Sequence, residues 1–180
     1  MSILLSVSVP DYGTDFHNNC DQMLIQASMR TFLFTAIGKK HVVFGGHSSI
    51  ACLILAVCED KGVKDGFAVT IYYPEEDGNP APADWQHLAT FIPVPAGENI
   101  AEVMASSHPY EAGVFIGGQE DILDAHKRFV RHQPQAKILA PRSPGGAAAT
   151  IEPAVHSKYD ELMDYVGLFT KELGVDITTK

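Results

Sequence analysis

The chain has 180 residues, of which 46% are hydrophobic, and this suits one compact domain over residues 1–180 with a full core. Its formal net charge of −9 opposes binding to a nucleic acid polymer. Three cysteines without C-x-x-C spacing indicate reduced thiols and a cytoplasmic protein. No targeting pattern opens the chain, and no stretch reaches the ~18 apolar residues that span a bilayer, so we expect no membrane partner.

The first half of the chain predicts strands that alternate with helices. Residues 3–9 form an apolar run closed by turn formers, which is typical of a strand. Apolar residues at helical spacing between Asn19, the N-cap candidate, and Gly38 predict a long first helix. A second strand over 41–44, a buried helix over 48–62 and a third strand over 67–73 follow.

The second half begins with residues 74–85, which are rich in proline and glycine and predict an exposed, mobile loop. A strand around 88–94, a helix around 99–107, a strand over 112–118, a helix over 120–132 and a strand over 137–140 follow. The helix over 120–132 is predicted to present one face made of Ile122, His126, Phe129 and Val130. A last helix, about 156–173, is predicted to carry one apolar stripe made of Tyr159, Leu162, Met163, Val166 and Leu173. It either covers the sheet or pairs with a second subunit, and we expect a homo-oligomer.

This alternation of strands and helices defines the predicted fold class. Each strand–helix–strand crossover packs a helix back onto a parallel sheet. The expected fold is therefore α/β, a Rossmann-like three-layer sandwich with a mainly parallel sheet. Ligands of such sheets lie beyond the carboxyl ends of the strands.

Three predicted strands end in a glycine pair: Gly45-Gly46, Gly117-Gly118 and, after a longer loop, Gly145-Gly146. Glycine allows close approach of a ligand to the backbone, and a helix that starts next to it directs N–H groups at an anion such as phosphate. The alternative is that these glycines only form tight turns. The predicted ligand-binding residues are Gly45, Gly46, His47, Ser48, Ser49, Gly117, Gly118, Gln119, Glu120, Gly145, Gly146 and Ala147.

Four motifs in this order, "LLSVSVPD", "VVFGGHSSI", "VFIGGQEDI" and "PGGAA", resemble the SLOG superfamily over about residues 3–150. The resemblance is to the branch related to the nucleotide-sensing domain of melastatin-type channels. It implies a domain that holds a nucleotide or a nucleotide-derived signal, such as an ADP-ribose-like or cyclic nucleotide. Several members of the superfamily serve as sensors in bacterial defence against phage.

A second relative in that superfamily, the Lonely Guy phosphoribohydrolase, cleaves the N-glycosidic bond of nucleoside monophosphates. Its P-G-G-x-G-T-x-x-E motif can be laid over Pro144 to Glu152, but Ala148 and Ala149 replace the Gly-Thr pair. The resemblance makes Glu152 a candidate catalytic carboxylate, with Glu120 as a further candidate. The alternatives are a solvated carboxylate at Glu152 and, at Glu120, a carboxylate that favours a helix dipole or contacts a ribose hydroxyl.

Other chemistries lack their motifs in this sequence. No metal-ligand spacing, G-x-G-x-x-G or P-loop is present, so we expect no metal and no cofactor. "GHSSI" approaches the serine hydrolase elbow, but Ile50 occupies the position of its second glycine. A nucleotide-binding sensor and an N-glycosidic hydrolase remain, and the altered last loop favours the sensor.

Overall fold

The computed structural model describes residues 1–46, 48–63, 66–152, 154 and 157–176. Its six strands are β1 (Ser2–Ser8), β2 (His41–Gly45), β3 (Val69–Pro74), β4 (Thr90–Val94), β5 (Tyr110–Gly117) and β6 (Lys137–Leu139). Its α-helices are α1 (Asp15–Asn18), α2 (Gln22–Ala36), α3 (Ser48–Asp60), α4 (Ile100–Ser107), α5 (Glu120–His132), α6 (Lys158–Glu161) and α7 (Tyr165–Leu173). Strands and helices alternate as the sequence predicts.

The six strands form one sheet in the order β4-β3-β2-β1-β5-β6, and every pairing between neighbours is parallel. The predicted α/β class with a Rossmann-like architecture is confirmed. The order runs outward from β1 to β4, and the chain then returns through α4 to β5 on the other side of β1. The strand order therefore reverses between β1 and β5.

Helices cover both faces of the sheet, and the alternation of side chains along β1 shows how. Ile3, Leu5 and Val7 belong to the core formed with α2, α3 and α7, whereas Leu4 belongs to the core formed with α4 and α5. A strand buried on both faces is apolar at successive positions, as β1 is from Ile3 to Leu5. The helix α7 packs on α2, where the rings of Phe32 and Phe169 meet edge to face at 5.4 Å between centroids.

Three predictions about the helices are corrected. The first long helix has Asp21 as its N-cap rather than Asn19, because the Asp21 carboxylate accepts hydrogen bonds from the N–H groups of Met23 (2.8 Å) and Leu24 (3.1 Å). Val130 is exposed and does not share the buried face of α5. The stretch predicted as one last helix contains two, since Met163, between α6 and α7, has a positive φ of 54° that no helix accommodates.

The predicted stripe on that last stretch is right at Tyr159 and Leu173, which pack against the core, and wrong at its other three positions. Leu162, Met163 and Val166 are exposed, and the side of α7 that faces the core is formed by Tyr165, Leu168, Phe169 and Leu173. The helix starts again after Met163, so its core-facing positions differ from those of one continuous helix. The predicted loop over 74–85 contains two short 3₁₀ turns, Glu75–Asp77 and Ala83–Trp85, and it is anchored by the buried side chain of Ala81.

Candidate functional site

Parallel sheets bind ligands where their strand order reverses, at the carboxyl ends of the strands. Here that point lies between β1 and β5, but protein atoms close it. Gln119 donates from Nε2 to Asp11 Oδ2 (2.8 Å), and the N–H of Asp11 donates to Gln119 Oε1 (3.2 Å). The Ser8 hydroxyl donates to Asp121 Oδ2 (2.9 Å). The loops after β1 and β5 are thus joined directly by side chains.

The second and third glycine pairs pack against each other. Gly146 has a φ of 72°, and a β-carbon there would lie 2.7 Å from the carbonyl carbon of Gly117. A β-carbon at Gly145 would collide with the carbonyl oxygen of Asn19. At these positions glycine is required by the close approach of two segments of the same backbone.

The N–H groups of these loops are engaged within the protein. Gly118 donates to the carbonyl of Ser8 (2.8 Å), and Ala147 donates to the carbonyl of Gly118 (2.9 Å). Gly145 and Gly146 donate to the carbonyls of Arg142 (2.9 Å) and Asn19 (3.2 Å). Ala147 itself is fully buried. These hydrogen bonds connect the loops to one another.

The first glycine pair lies apart from the other two. A β-carbon at Gly45 would lie 2.6 Å from Ile100 Cγ2 of α4, and one at Gly46, where φ is 155°, would lie 3.2 Å from the ring of Phe44. Gly46 and Ser48 border a cavity of about 560 Å³ beyond the end of β3, which we call the β3 cavity. Tyr73 and Asp77 also line the β3 cavity. His47, a predicted ligand-binding residue, lies outside the described residues.

A second cavity, of about 500 Å³, opens at the carboxyl end of β1 between α2 and α3, and we call it the α2–α3 cavity. Its apolar lining consists of Val7, Val9, Ile25, Met29, Ile50 and Leu53. Its polar lining consists of Ser8, Asp11, Gln26, Arg30 and Ser49. Ser49, in the first turn of α3, is the one residue of the predicted ligand-binding set in this lining. Concave apolar walls with a few polar groups are typical of small-molecule sites.

Arg30, which the sequence analysis did not single out, is the cation in this lining. It is exposed on α2, and in the described part of the chain no carboxylate forms an ion pair with it. Gln26 precedes it by four positions on the same helix, so the two side chains share one face. Such a pair on an exposed helix face does not by itself indicate a binding site, so the sequence carried no distinct signal for Arg30.

The two candidate catalytic carboxylates lie elsewhere. Glu120 is exposed in the first turn of α5. Glu152 is exposed, forms an ion pair with Arg142, and borders a separate cavity of about 400 Å³ together with His126 and Lys137. Neither carboxylate is in the lining of the α2–α3 cavity.

Asp160 of α6 holds the loop that carries the third glycine pair. Its carboxylate accepts hydrogen bonds from the N–H of Arg142 (2.7 Å) and from the Ser143 hydroxyl (2.6 Å). Since the Ser143 proton is directed at Asp160, the Tyr165 hydroxyl donates to Ser143 Oγ (2.7 Å). Burial raises the pKa of Tyr165, which keeps that hydroxyl protonated. The terminal helices and the third glycine loop therefore form one connected unit.

The fold is that of a Rossmann-like α/β protein, with the α2–α3 cavity at the carboxyl end of its central strand β1. The family described as SLOG cluster3 matches residues 15–173, and the chain belongs to that family. Membership indicates a nucleotide-related function. No curated protein and no solved structure matches the chain.

Two searches of the described residues complete the description. None of their helices has both the length and the apolar character that crossing a membrane requires. Among the same residues, no group of three or more His, Cys, Asp or Glu side chains is arranged to hold a metal ion.

Proposed function

We propose that this protein is a sensor that binds a nucleotide or nucleotide-derived signal in the α2–α3 cavity. The observation that carries the proposal is the position of Arg30, a guanidinium at the border of a largely apolar cavity at the carboxyl end of β1. Arginine is the side chain best suited to a phosphate oxygen pair, because its planar donors match that geometry. The resemblance to defence-system domains extends the proposal to bacterial anti-phage signalling in the cytoplasm.

We propose a place in the lining for each part of such a ligand. The walls formed by Ile25, Met29 and Leu53 pack against a base, which is largely apolar on its faces. Arg30 and the hydroxyl of Ser49 donate to phosphate oxygens. Asp11 accepts a hydrogen bond from a ribose hydroxyl, as acidic side chains do in related folds.

The sensor is favoured over an N-glycosidic hydrolase by the positions of the carboxylates. A hydrolase needs a carboxylate that faces the anomeric carbon or activates water. Glu152 is paired with Arg142 beside another cavity, and Glu120 is not in the lining of the α2–α3 cavity. The carboxylate that does line this cavity, that of Asp11, is already hydrogen-bonded to Gln119. We therefore expect ligand to be bound and released unchanged.

Calorimetric titration with adenosine, 5′-AMP, 3′,5′-cyclic AMP, ADP-ribose and NAD tests binding. We expect at least one probe to bind. Arg30→Gln should lower the affinity for a phosphate-bearing probe by about tenfold or more, since a charge-assisted hydrogen bond contributes about 1.5 to 3 kcal/mol. The matched control is Arg131→Gln on α5, which leaves the affinity unchanged. Silence across the panel from folded protein would contradict the proposal.

Chromatography after long incubation with 5′-AMP and NAD separates the two classes of protein. A sensor releases no free base. Steady base release that Glu152→Gln or Glu120→Gln abolishes would replace the sensor with a hydrolase, because glutamine keeps the shape of the side chain and removes its charge.

A further inference from the structure

The charges at the carboxyl edge of the sheet bear on which ligand the α2–α3 cavity accepts. Among the described lysines and arginines, Arg30 is the one that lines the α2–α3 cavity, and none lines the β3 cavity. Asp11 also lines the α2–α3 cavity, and its charge is opposite in sign to that of Arg30. The formal charge of that lining is therefore zero.

Acidic side chains follow the strands at this same edge. Within the described residues, those next to the carboxyl ends of β1, β3, β4 and β5 are Asp11, Glu75, Glu76, Asp77, Glu98, Glu120 and Asp121. Arg142, in the loop after β6, forms an ion pair with Glu152. An approaching polyanion thus meets several carboxylates and a single guanidinium that has no ionic partner among the described residues.

The described lysines of the neighbouring helices lie at the opposite edge. Lys39 and Lys40 follow the end of α2, and Lys61 follows the end of α3. Lys40 forms an ion pair with Glu111 (2.8 Å), and Lys61 donates to the carbonyl of Phe34 (2.6 Å). A helix of the length of α3 separates its two ends by roughly 20 Å, so Lys61 offsets little of the charge at its first turn at ordinary salt.

We propose that the α2–α3 cavity selects a nucleotide whose phosphate is a diester with one negative charge, a cyclic nucleotide, over phosphate monoesters and polyphosphates. This inference rests on the proposed function and names its ligand class. Arg30 neutralises one charge. A monoester carries about −1.5 to −2 at neutral pH. Its additional charge is repelled by Asp11 and by the other carboxylates at the carboxyl edge of the sheet, which we call the acidic rim, and no second cation among the described residues of the lining offsets this repulsion.

The first test compares adenosine, 3′,5′-cyclic AMP, 5′-AMP and ATP by calorimetry at low salt, with EDTA and again with Mg²⁺. These probes share the base and the ribose and differ in charge. We expect cyclic AMP to bind at least about tenfold tighter than ATP, and the difference to shrink at high salt because exposed charges are screened. Affinity that rises from AMP to ATP, in either condition, overturns the charge selection and leaves nucleotide binding in place.

The second test changes the charge of the rim. Asp11→Asn keeps a side-chain oxygen that can accept from Gln119 or from a ribose hydroxyl, and it removes one negative charge. We therefore expect it to reduce the preference for cyclic AMP over 5′-AMP by about threefold. The matched control is Asp60→Asn, at the far end of α3, which keeps the wild-type preference. An unchanged preference in Asp11→Asn overturns the proposal, whereas failure of every probe, adenosine included, overturns the proposed function itself.

Discussion

Asp11 and Gln119 form a reciprocal pair of hydrogen bonds across the point where the strand order reverses. Gln119 Nε2 lies 2.8 Å from Asp11 Oδ2, and the backbone nitrogen of Asp11 lies 3.2 Å from Gln119 Oε1. Because Asp11 also lines the α2–α3 cavity, this pair connects the loop after β5 to the proposed ligand site. The pair occupies the position at which related folds hold a ligand.

Replacing Gln119 with alanine tests the importance of this pair. Gln119→Ala removes both hydrogen bonds, and we expect the free energy of unfolding to fall by about 1 kcal/mol, the usual net contribution of one intramolecular hydrogen bond. Urea denaturation followed by circular dichroism measures it. Gln135→Ala, at an exposed position beyond α5, is the control and should stay within about 0.5 kcal/mol of wild type. Equal effects in the two variants would show that the pair contributes nothing.

Two glycine-to-alanine substitutions distinguish the cost of a steric clash from the cost of a positive φ alone. Gly146→Ala places a β-carbon 2.7 Å from the carbonyl carbon of Gly117 at a φ of 72°, so we expect a loss of more than about 2 kcal/mol. Gly97 has a φ of 89° and nothing within 4 Å of the added carbon, so Gly97→Ala should cost only about 1 kcal/mol. Thermal unfolding of both variants measures the difference. A Gly146→Ala protein as stable as Gly97→Ala would contradict the packing.

Three partly buried histidines predict acid sensitivity. Burial lowers the pKa of His41, and the neighbouring His108 lowers it further; burial likewise lowers the pKa of His108 and His126. The unfolded chain takes up these protons near the ordinary value of 6.5, whereas the folded protein takes them up at lower pH. The contribution of these three histidines to the free energy of unfolding is therefore fully present above about pH 6.5, and it is lost as the pH falls below that value.

The His108 ring lies beside His41, so the two side chains would repel each other if both were protonated. The Nδ1 of His41 lies 2.8 Å from Ser2 Oγ, its Nε2 lies 2.9 Å from Thr70 Oγ1, and the rings of His41 and His108 meet at 5.1 Å. Urea denaturation at pH 7.5 and 5.5 measures how far the free energy of unfolding falls between these pH values, and His108→Gln should make that fall smaller. The same substitution at exposed His87 is the control. Stability that is equal at both pH values would rule out this account.

The exposed apolar side chains near the terminal helices bear on assembly. Leu162 and Val166 are 73% and 46% exposed, and Phe34 of α2 lines a shallow cavity with Val166. We expect a homo-oligomer that uses this surface, and Leu162→Glu to shift it toward monomer because the charge would be buried at the contact. Light scattering measures the mass, with Phe67→Glu as the control at another exposed apolar residue. A wild-type monomer at high concentration would exclude the assembly.

Most of the fold was predictable because it depends on local patterns. Apolar runs closed by turn formers located the strands, and the alternation with helices indicated the parallel sheet. The break at Met163 had no such signal, since a positive φ at a residue other than glycine or asparagine follows from tertiary packing. The predicted stripe on the last helix was wrong at Leu162, Met163 and Val166 for the same reason, because the break changes which residues face the core.

The site was less predictable, and the glycine pairs show why. Glycine is needed wherever anything approaches the backbone closely, whether a ligand or another segment of the chain. At Gly145 and Gly146 the neighbouring atoms belong to Asn19 and Gly117, which lie far away in the sequence. Arg30 was missed because its relation to the cavity depends on how α2 and α3 sit on the sheet. The roles of these residues toward a ligand stay predictions.

The central place of β1 in the sheet has a consequence for synthesis of the chain. Ser2 pairs with Tyr110 and Ser8 with Gly117, so one side of the first strand finds its partner only after most of the chain has been made. Until then an apolar strand presents unpaired backbone groups, which favour pairing with other chains. We therefore expect nascent and truncated chains that end before β5 to aggregate or recruit chaperones, and ribosome-bound chains of increasing length would show protection of β1 only once β5 has emerged.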